Sequence, residues 1–301
     1  GKILFVKPGY YIKHIVKKEI YEITTGTGRK IKVTKDHSLF TLGKDNSLQD
    51  TTPLELKENK SFIAVPRTLP IEGNQIKWIN LIDHLEPFKD DFLRGEPIKR
   101  ILDGKTYRDL GVEKERFRWW KKNSLIKISK FMELKEKFSH EELVKLKIKS
   151  KNTSSLPVLF EVSKEFIEFC GLWVGDGSYD NFNGNSVILS NVDKECRDVF
   201  MNLKDYTGSN YSIMNDKGVS LRIHSTIFYK MMKYVLGLDG YSKTKKVPDF
   251  VLNLSNEQIN HFIRGYFSAD GTVKKNEVSC ASQSYDLLSD LQSLFLRLGI
   301  I

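Results

Sequence analysis

Asp176 and Asp270 each stand at the end of an apolar run and directly before a glycine, and their surroundings repeat. Phe169-Cys-Gly-Leu-Trp-Val-Gly-Asp-Gly177 aligns with Ile263-Arg-Gly-Tyr-Phe-Ser-Ala-Asp-Gly271, an offset of 94 residues. Gly171 falls over Gly265, Gly175 over Ala269, and Asp176 over Asp270. On a helix, residues four apart share a face, so each pair of small residues leaves a flat strip. Two such strips let helices approach more closely than the usual ~8–10 Å. Parallel pairing then brings both carboxylates to adjacent C-terminal ends. A carboxylate there opposes the helix macrodipole, and two repel each other. A divalent cation relieves both, and hard oxygen ligands suit Mg²⁺.

The elements that must position these acids are legible around them. Gly177 and Gly271 suit the C′ position that ends a helix. Ser255-x-x-Gln258 fits a capping box at the start of the second helix. Each Asp-Gly leads to a hairpin, Tyr179 to Leu189 around Asn181-Phe-Asn-Gly184 and Val273 to Cys280 around Lys274-Lys-Asn. Each hairpin leads to an amphipathic helix ending at Gly208 or Gly299, where the offset is 91, so the second hairpin is three residues shorter.

Three regions differ in character. Residues 1–75 are β-rich: Tyr21-Glu-Ile-Thr and Lys30-Ile-Lys-Val-Thr flank the turn Thr25-Gly-Thr-Gly28, and Ser61-Phe-Ile-Ala-Val-Pro66 reads as a further strand. Residues 76–150 are helical and basic, with eleven Lys/Arg against four Asp/Glu between Lys99 and Lys130. There a short helix near Ile98–Leu102, a turn at Gly111 and a second helix at Glu113–Lys122 follow a helix-turn-helix plan, with Arg116, Arg118, Lys121 and Lys122 as phosphate-contact candidates. A basic spacer facing water is the competing reading. Residues 156–301 hold the repeat, after a polar linker at Lys149 to Ser155. The 48 basic and 38 acidic residues of the 301-residue chain leave a net charge of +10, which favours a polyanionic partner. No apolar run approaches the ~18–20 residues of a membrane span, the short N-terminal run is stopped by Pro8, and Cys170, Cys196 and Cys280 form no CxxC pair. A reducing cytoplasm is expected.

The doubled motif resembles the two-motif, DOD-type LAGLIDADG homing endonucleases over about residues 160–301. The resemblance implies an αββαββα half repeated about a pseudo-twofold axis, a monomer, and sheets lying on a long asymmetric double-stranded DNA target. It assigns Asp176 and Asp270 to Mg²⁺ and catalysis. Lys245 stands at the place of a catalytic lysine, with Lys243 and Lys246 as rivals or phosphate contacts. Arg222 and His224 on Val219–His224 alternate with apolar residues and reach bases or phosphates in this scheme, with a solvated strand face as the competing reading.

Gly28 to Phe40 resembles the intein splicing block with Thr-x-x-His, here Thr34 and His37, which implies a role at an N-terminal scissile peptide. Residues 1–75 would then be a partial Hint splicing domain, and the fold class is α+β with the second nuclease half cut short. The expected parent is a self-splicing intein, host exteins in cis, that makes a site-specific double-strand break. The weaker likeness is to inteins of archaeal DNA polymerases. With Gly1 first and no terminal His-Asn pair, the 301 residues are expected neither to splice nor to cut. A splicing element with an inactive nuclease and a non-catalytic DNA-binding regulator stay open as alternatives.

Overall fold

The computed structural model describes residues 6–13, 15, 17–151, 155–180, 185–207, 210–214, 220–239 and 241–300. The hairpin turn 181–184, the helix end at Gly208, the strand start at Val219, part of the linker (152–154) and both chain ends lie outside them. By contact the chain forms two compact units, residues 1–71 with 291–301, and residues 72–290.

The first unit is built from hairpins. Strands β1 (Ile20–Thr24) and β2 (Lys30–Thr34) pair antiparallel, Ile20 opposite Thr34, around a turn closed by Gly28 at φ 81°. Strands β3 (Leu39–Leu42) and β4 (Leu48–Thr51) form a second hairpin. The segment read as a strand at Ser61–Pro66 is only an isolated bridge, Ile63 to Thr41, flanked by the backbone bonds Leu42 N to Phe62 O and Ala64 N to Phe40 O. Pro66 has no N–H to carry the ladder further.

In the second unit, β5 (Trp78–Asn80) and β6 (Phe92–Arg94) precede helices α1 (Glu96–Asp103) and α2 (Lys114–Asn123). Then come β7 (Leu125–Lys127), α3 (Ile128–Leu134), α4 (His140–Val144), β8 (Lys147–Lys149), β9 (Ser155–Pro157) and β10 (Leu159–Glu161). The basic segment thus supplies three strands of a four-stranded sheet, β7-β6-β8-β9, in addition to its helices. The connection between α1 and α2 covers residues 104–113, longer than the three- to four-residue turn of a helix-turn-helix. Gly111 adopts φ 58° within it, and Leu110 is buried there, so the connection is itself a packed loop.

The repeat begins at α5 (Lys164–Asp176), followed by β11 (Gly177–Asp180), β12 (Ser186–Ser190), α6 (Lys194–Thr207), β13 (Tyr211–Met214), β14 (Ser220–Ile223) and α7 (Thr226–Lys230). The four strands form one antiparallel sheet ordered β11-β12-β14-β13. Val187, Leu189, Leu221 and Ile223 bury its inner face, and Phe166, Phe169, Phe200 and Phe228 fill the core. After α8 (Asp249–Leu252) the second copy follows as α9 (Asn256–Asp270), β15 (Gly271–Lys274), β16 (Glu277–Cys280) and α10 (Tyr285–Arg297).

Two local expectations change. Gly177 and Gly271 end their helices in extended conformation, φ −84° and −81°, rather than left-handed. Glycine is needed there for space: a Cβ would sit 2.3 Å from Trp173 ring atoms or from the Phe267 carbonyl oxygen. At α9 the cap is half a box. Ser255 Oγ accepts from Gln258 N, but the Gln258 amide turns away to clamp the Ile76 backbone, accepting at 3.0 Å and donating at 2.7 Å. Gln258→Ala should therefore cost about 2 kcal/mol, since it strands two backbone groups. A denaturant melt reads this, and a loss below a few tenths would rule the clamp out.

Candidate functional site

Helices α5 and α9 cross at their small residues and run parallel. A Cβ built on Gly171 would lie 2.0 Å from the Phe262 carbonyl oxygen, and one on Gly265 would lie 2.0 Å from that of Glu168. One turn on, a Cβ at Gly175 would meet Ala269 Cβ at 2.4 Å and the Asp270 carboxyl carbon at 3.4 Å. The crossing therefore sets the ends carrying Asp176 and Asp270 side by side.

Lys245 closes this edge. Its Nζ donates to the carbonyl oxygens of Gly175 (2.7 Å) and Gly177 (3.2 Å), and it lies 5.6 Å from the centroid of the Trp173 ring. These are end-of-helix carbonyls without intrahelical partners, so the ammonium caps α5 and offsets its macrodipole. Burial pushes the Lys245 pKa down, against the pull of Asp270 and Asp176. Burial likewise raises the pKa of both aspartates. For Asp176 the Asn191 hydrogen bond opposes the rise and Asp270 adds to it, while Lys245 lowers both. Asn191, which the sequence reading did not single out, donates from Nδ2 to Asp176 Oδ2 at 2.6 Å. Among the described residues no group of three or more His, Cys, Asp or Glu side chains stands together as a metal cluster.

The other candidates are spread more widely. Arg222 lies on the outer face of the four-stranded sheet, opposite Ile188 and Ser212, and pairs with Asp180 at 2.7 Å. That face is rich in serine, with Ser190 and Ser220 hydroxyls 2.9 Å apart and Ser212 Oγ 2.7 Å from His224 Nε2. Lys243 is exposed, and Lys246 pairs with Asp249 at 3.0 Å. On α2, Phe117 and Trp120 face the core, while Arg116, Arg118 and Lys122 are exposed and form no ion pair with described residues. Lys121 is bound to Asp103 at 2.8 Å. Trp119, half exposed beside these cations and edge-on to Phe92, went unnoticed in the sequence because its charged neighbours mask it in any periodicity. In the first unit, Thr34 ends β2 and His37 stands exposed on the following turn, its amide bonded to the Thr34 carbonyl at 3.0 Å.

Residues 257–301 match the LAGLIDADG-like domain family. This match covers the second motif helix and the hairpin and helix after it. The chain is also similar, almost end to end, to long archaeal proteins. It is 26% identical to a probable translation initiation factor IF-2 of Thermococcus kodakarensis, over 100% of this chain and 26% of that protein. It is 23% identical to the DNA-directed RNA polymerase subunit Rpo1C of Methanocaldococcus jannaschii, over 96% and 28%. With a DNA polymerase of Thermococcus kodakarensis the identity is 25%, over 95% and 20%. The chain thus spans between a fifth and somewhat over a quarter of the length of these relatives.

Proposed function

We propose that the chain is the nuclease-bearing part of an intein whose parent cuts double-stranded DNA at one long site. The observation that carries this reading is the pair of helix-terminal carboxylates, Asp176 and Asp270, brought together at a glycine crossing with Lys245 beside them. The relatives support the intein setting. An initiation factor, an RNA polymerase subunit and a DNA polymerase share no activity in their names, yet each resembles this whole chain over a minor part of its length. A segment common to such hosts behaves as an insertion carried by them.

Mg²⁺ fits the donor set, because it is bound through one or two carboxylates and completes its shell with water and substrate phosphates. Asp176 and Asp270 would hold it, and when bound it supplies Lewis-acid activation of water and charge stabilisation of the leaving oxygen. Lys245, held by two carbonyls, keeps a positive charge at the edge where phosphate charge develops. The serine-rich outer face with Arg222 lies against DNA, and its ion pair with Asp180 orients the guanidinium. Thr34 and His37 serve the N-terminal scissile peptide.

A plasmid carrying the intein-free insertion site, incubated with Mg²⁺ and the protein expressed in its full reading frame, should become linear. Intact plasmid under all conditions would overturn the nuclease reading, and tight binding without cutting would mark a DNA-binding regulator. Joint neutralisation of Arg116, Arg118 and Lys122 should flatten the salt dependence of DNA binding by about 2–3 in log–log slope. Neutralising Lys121, already paired with Asp103, should change it little; equal effects from both would return α2 to the role of a spacer.

A further inference from the structure

The two turns that follow the hairpins are built alike but finished differently. After β12, Asn191 Oδ1 accepts the amide of Asp193 at 2.8 Å. After β16, Ser282 Oγ accepts the amide of Ser284 at 3.1 Å. The positions differ by 91 residues, the offset of the repeat beyond its shortened hairpin. Each side chain therefore does the same local work, folding the chain into the helix that follows. Asparagine has a second function to spend, since its amide nitrogen remains free to donate. That nitrogen reaches Asp176 Oδ2 at 2.6 Å, from a residue only 8% exposed. The hydroxyl of Ser282, the shorter of the two side chains, makes no hydrogen bond to Asp270. Asp270 accepts no side-chain hydrogen bond from a described residue.

We propose that Asn191 is a positioning residue which fixes the Asp176 carboxylate for a divalent cation, and that Ser282 leaves Asp270 without this restraint. The two acids of the pair then contribute unequally to the cation. The proposal rests on the metal-dependent reading above but is tested without cleavage. A carboxylate held at one oxygen by a two-point-anchored amide presents its other oxygen in one direction, at a lower entropic cost of binding. Partners of this kind typically change metal affinity by about 10–100-fold.

The test is a Tb³⁺ titration of the full chain without DNA. Tb³⁺ is a hard, oxygen-seeking probe, and Trp173, which packs against Lys245 and Gly177, sensitises its luminescence. Asn191→Ser keeps the acceptor that the turn needs and exchanges the long amide donor for the short hydroxyl that, at Ser282, makes no bond to the acid. It should weaken Tb³⁺ binding about tenfold at an unchanged melting temperature, and Ser282→Asn should tighten it. Equal affinity in Asn191→Ser and the wild type overturns the proposal. So does a loss seen only in Asn191→Ala, which would assign the effect to the turn, and so does a wild-type chain that binds no Tb³⁺. A chain that binds Tb³⁺ as expected but never cuts DNA would sink the nuclease reading and leave this one standing.

Discussion

In the parent intein of the proposed function, Asp176→Asn and Asp270→Asn should each lower DNA cleavage by roughly 10³-fold, while leaving the fold at least as stable at neutral pH. Cleavage is lost because an amide is a poor ligand for Mg²⁺ and carries no charge to hold it. Stability moves the other way for an electrostatic reason. Both carboxyls have a folded-state pKa raised by burial above the ordinary aspartate value. The folded state therefore binds the proton more tightly than the unfolded one. Ionisation at neutral pH costs stability, and that cost is relieved as pH falls through the raised pKa. For Asp270, burial raises the pKa and Lys245 opposes the rise. Its carboxylate also sits at the negative end of α9, an unfavourable placement of about 0.3–1 kcal/mol, reduced towards the lower figure by exposure. The advantage in melting temperature of Asp270→Asn over the wild type should thus shrink as the pH is lowered from neutral towards the ordinary aspartate range. A lower melting temperature for Asp270→Asn at pH 7 would mean that the carboxylate stabilises the fold.

What the sequence discloses depends on how locally each feature is specified. The repeat, the small residues four apart and the Asp-Gly endings are short-range patterns, so the helices α5 and α9 and the hairpins after them can be read from a single strip of sequence. The α+β mixture follows from the same patterns. Long-range pairings cannot be read this way. Gln258 looks like half of a capping box until Ile76, 182 residues away, takes its amide. Asn191 looks like a turn residue until Asp176 appears beside it, and Arg222 looks free until Asp180 is placed across the sheet. Lys121 reads as one cation of a cluster, whereas Asp103 on the preceding helix holds it. Even the glycines after each acid are misread by conformational preference, because what they provide is room for Trp173 and Phe267.

Gly171→Ala and Gly265→Ala should each cost about 3 kcal/mol or more, enough to lower the melting temperature by roughly 6–12 °C. In an ordinary helix the same change would stabilise by about 1 kcal/mol, since alanine is the better helix former. The sign reverses because of what the methyl meets. At Gly171 it falls 2.0 Å from the Phe262 carbonyl oxygen and 2.7 Å from the Tyr266 nitrogen; at Gly265 it falls 2.0 Å from the Glu168 carbonyl oxygen. These are backbone atoms of a facing helix, so no rotamer change can clear them and the two helices must separate. Separation also opens the edge where Asp176, Asp270 and Lys245 meet, so DNA cleavage should fall even at temperatures where the variants remain folded. Gly104 is the internal control: a Cβ there lies 3.8 Å from its nearest neighbour, the Ile101 carbonyl oxygen, and its φ of −86° suits any residue. Gly104→Ala should be neutral or stabilising by up to about 1 kcal/mol. If Gly171→Ala melted alongside Gly104→Ala, the close crossing of α5 and α9 could not be what holds the two acids together.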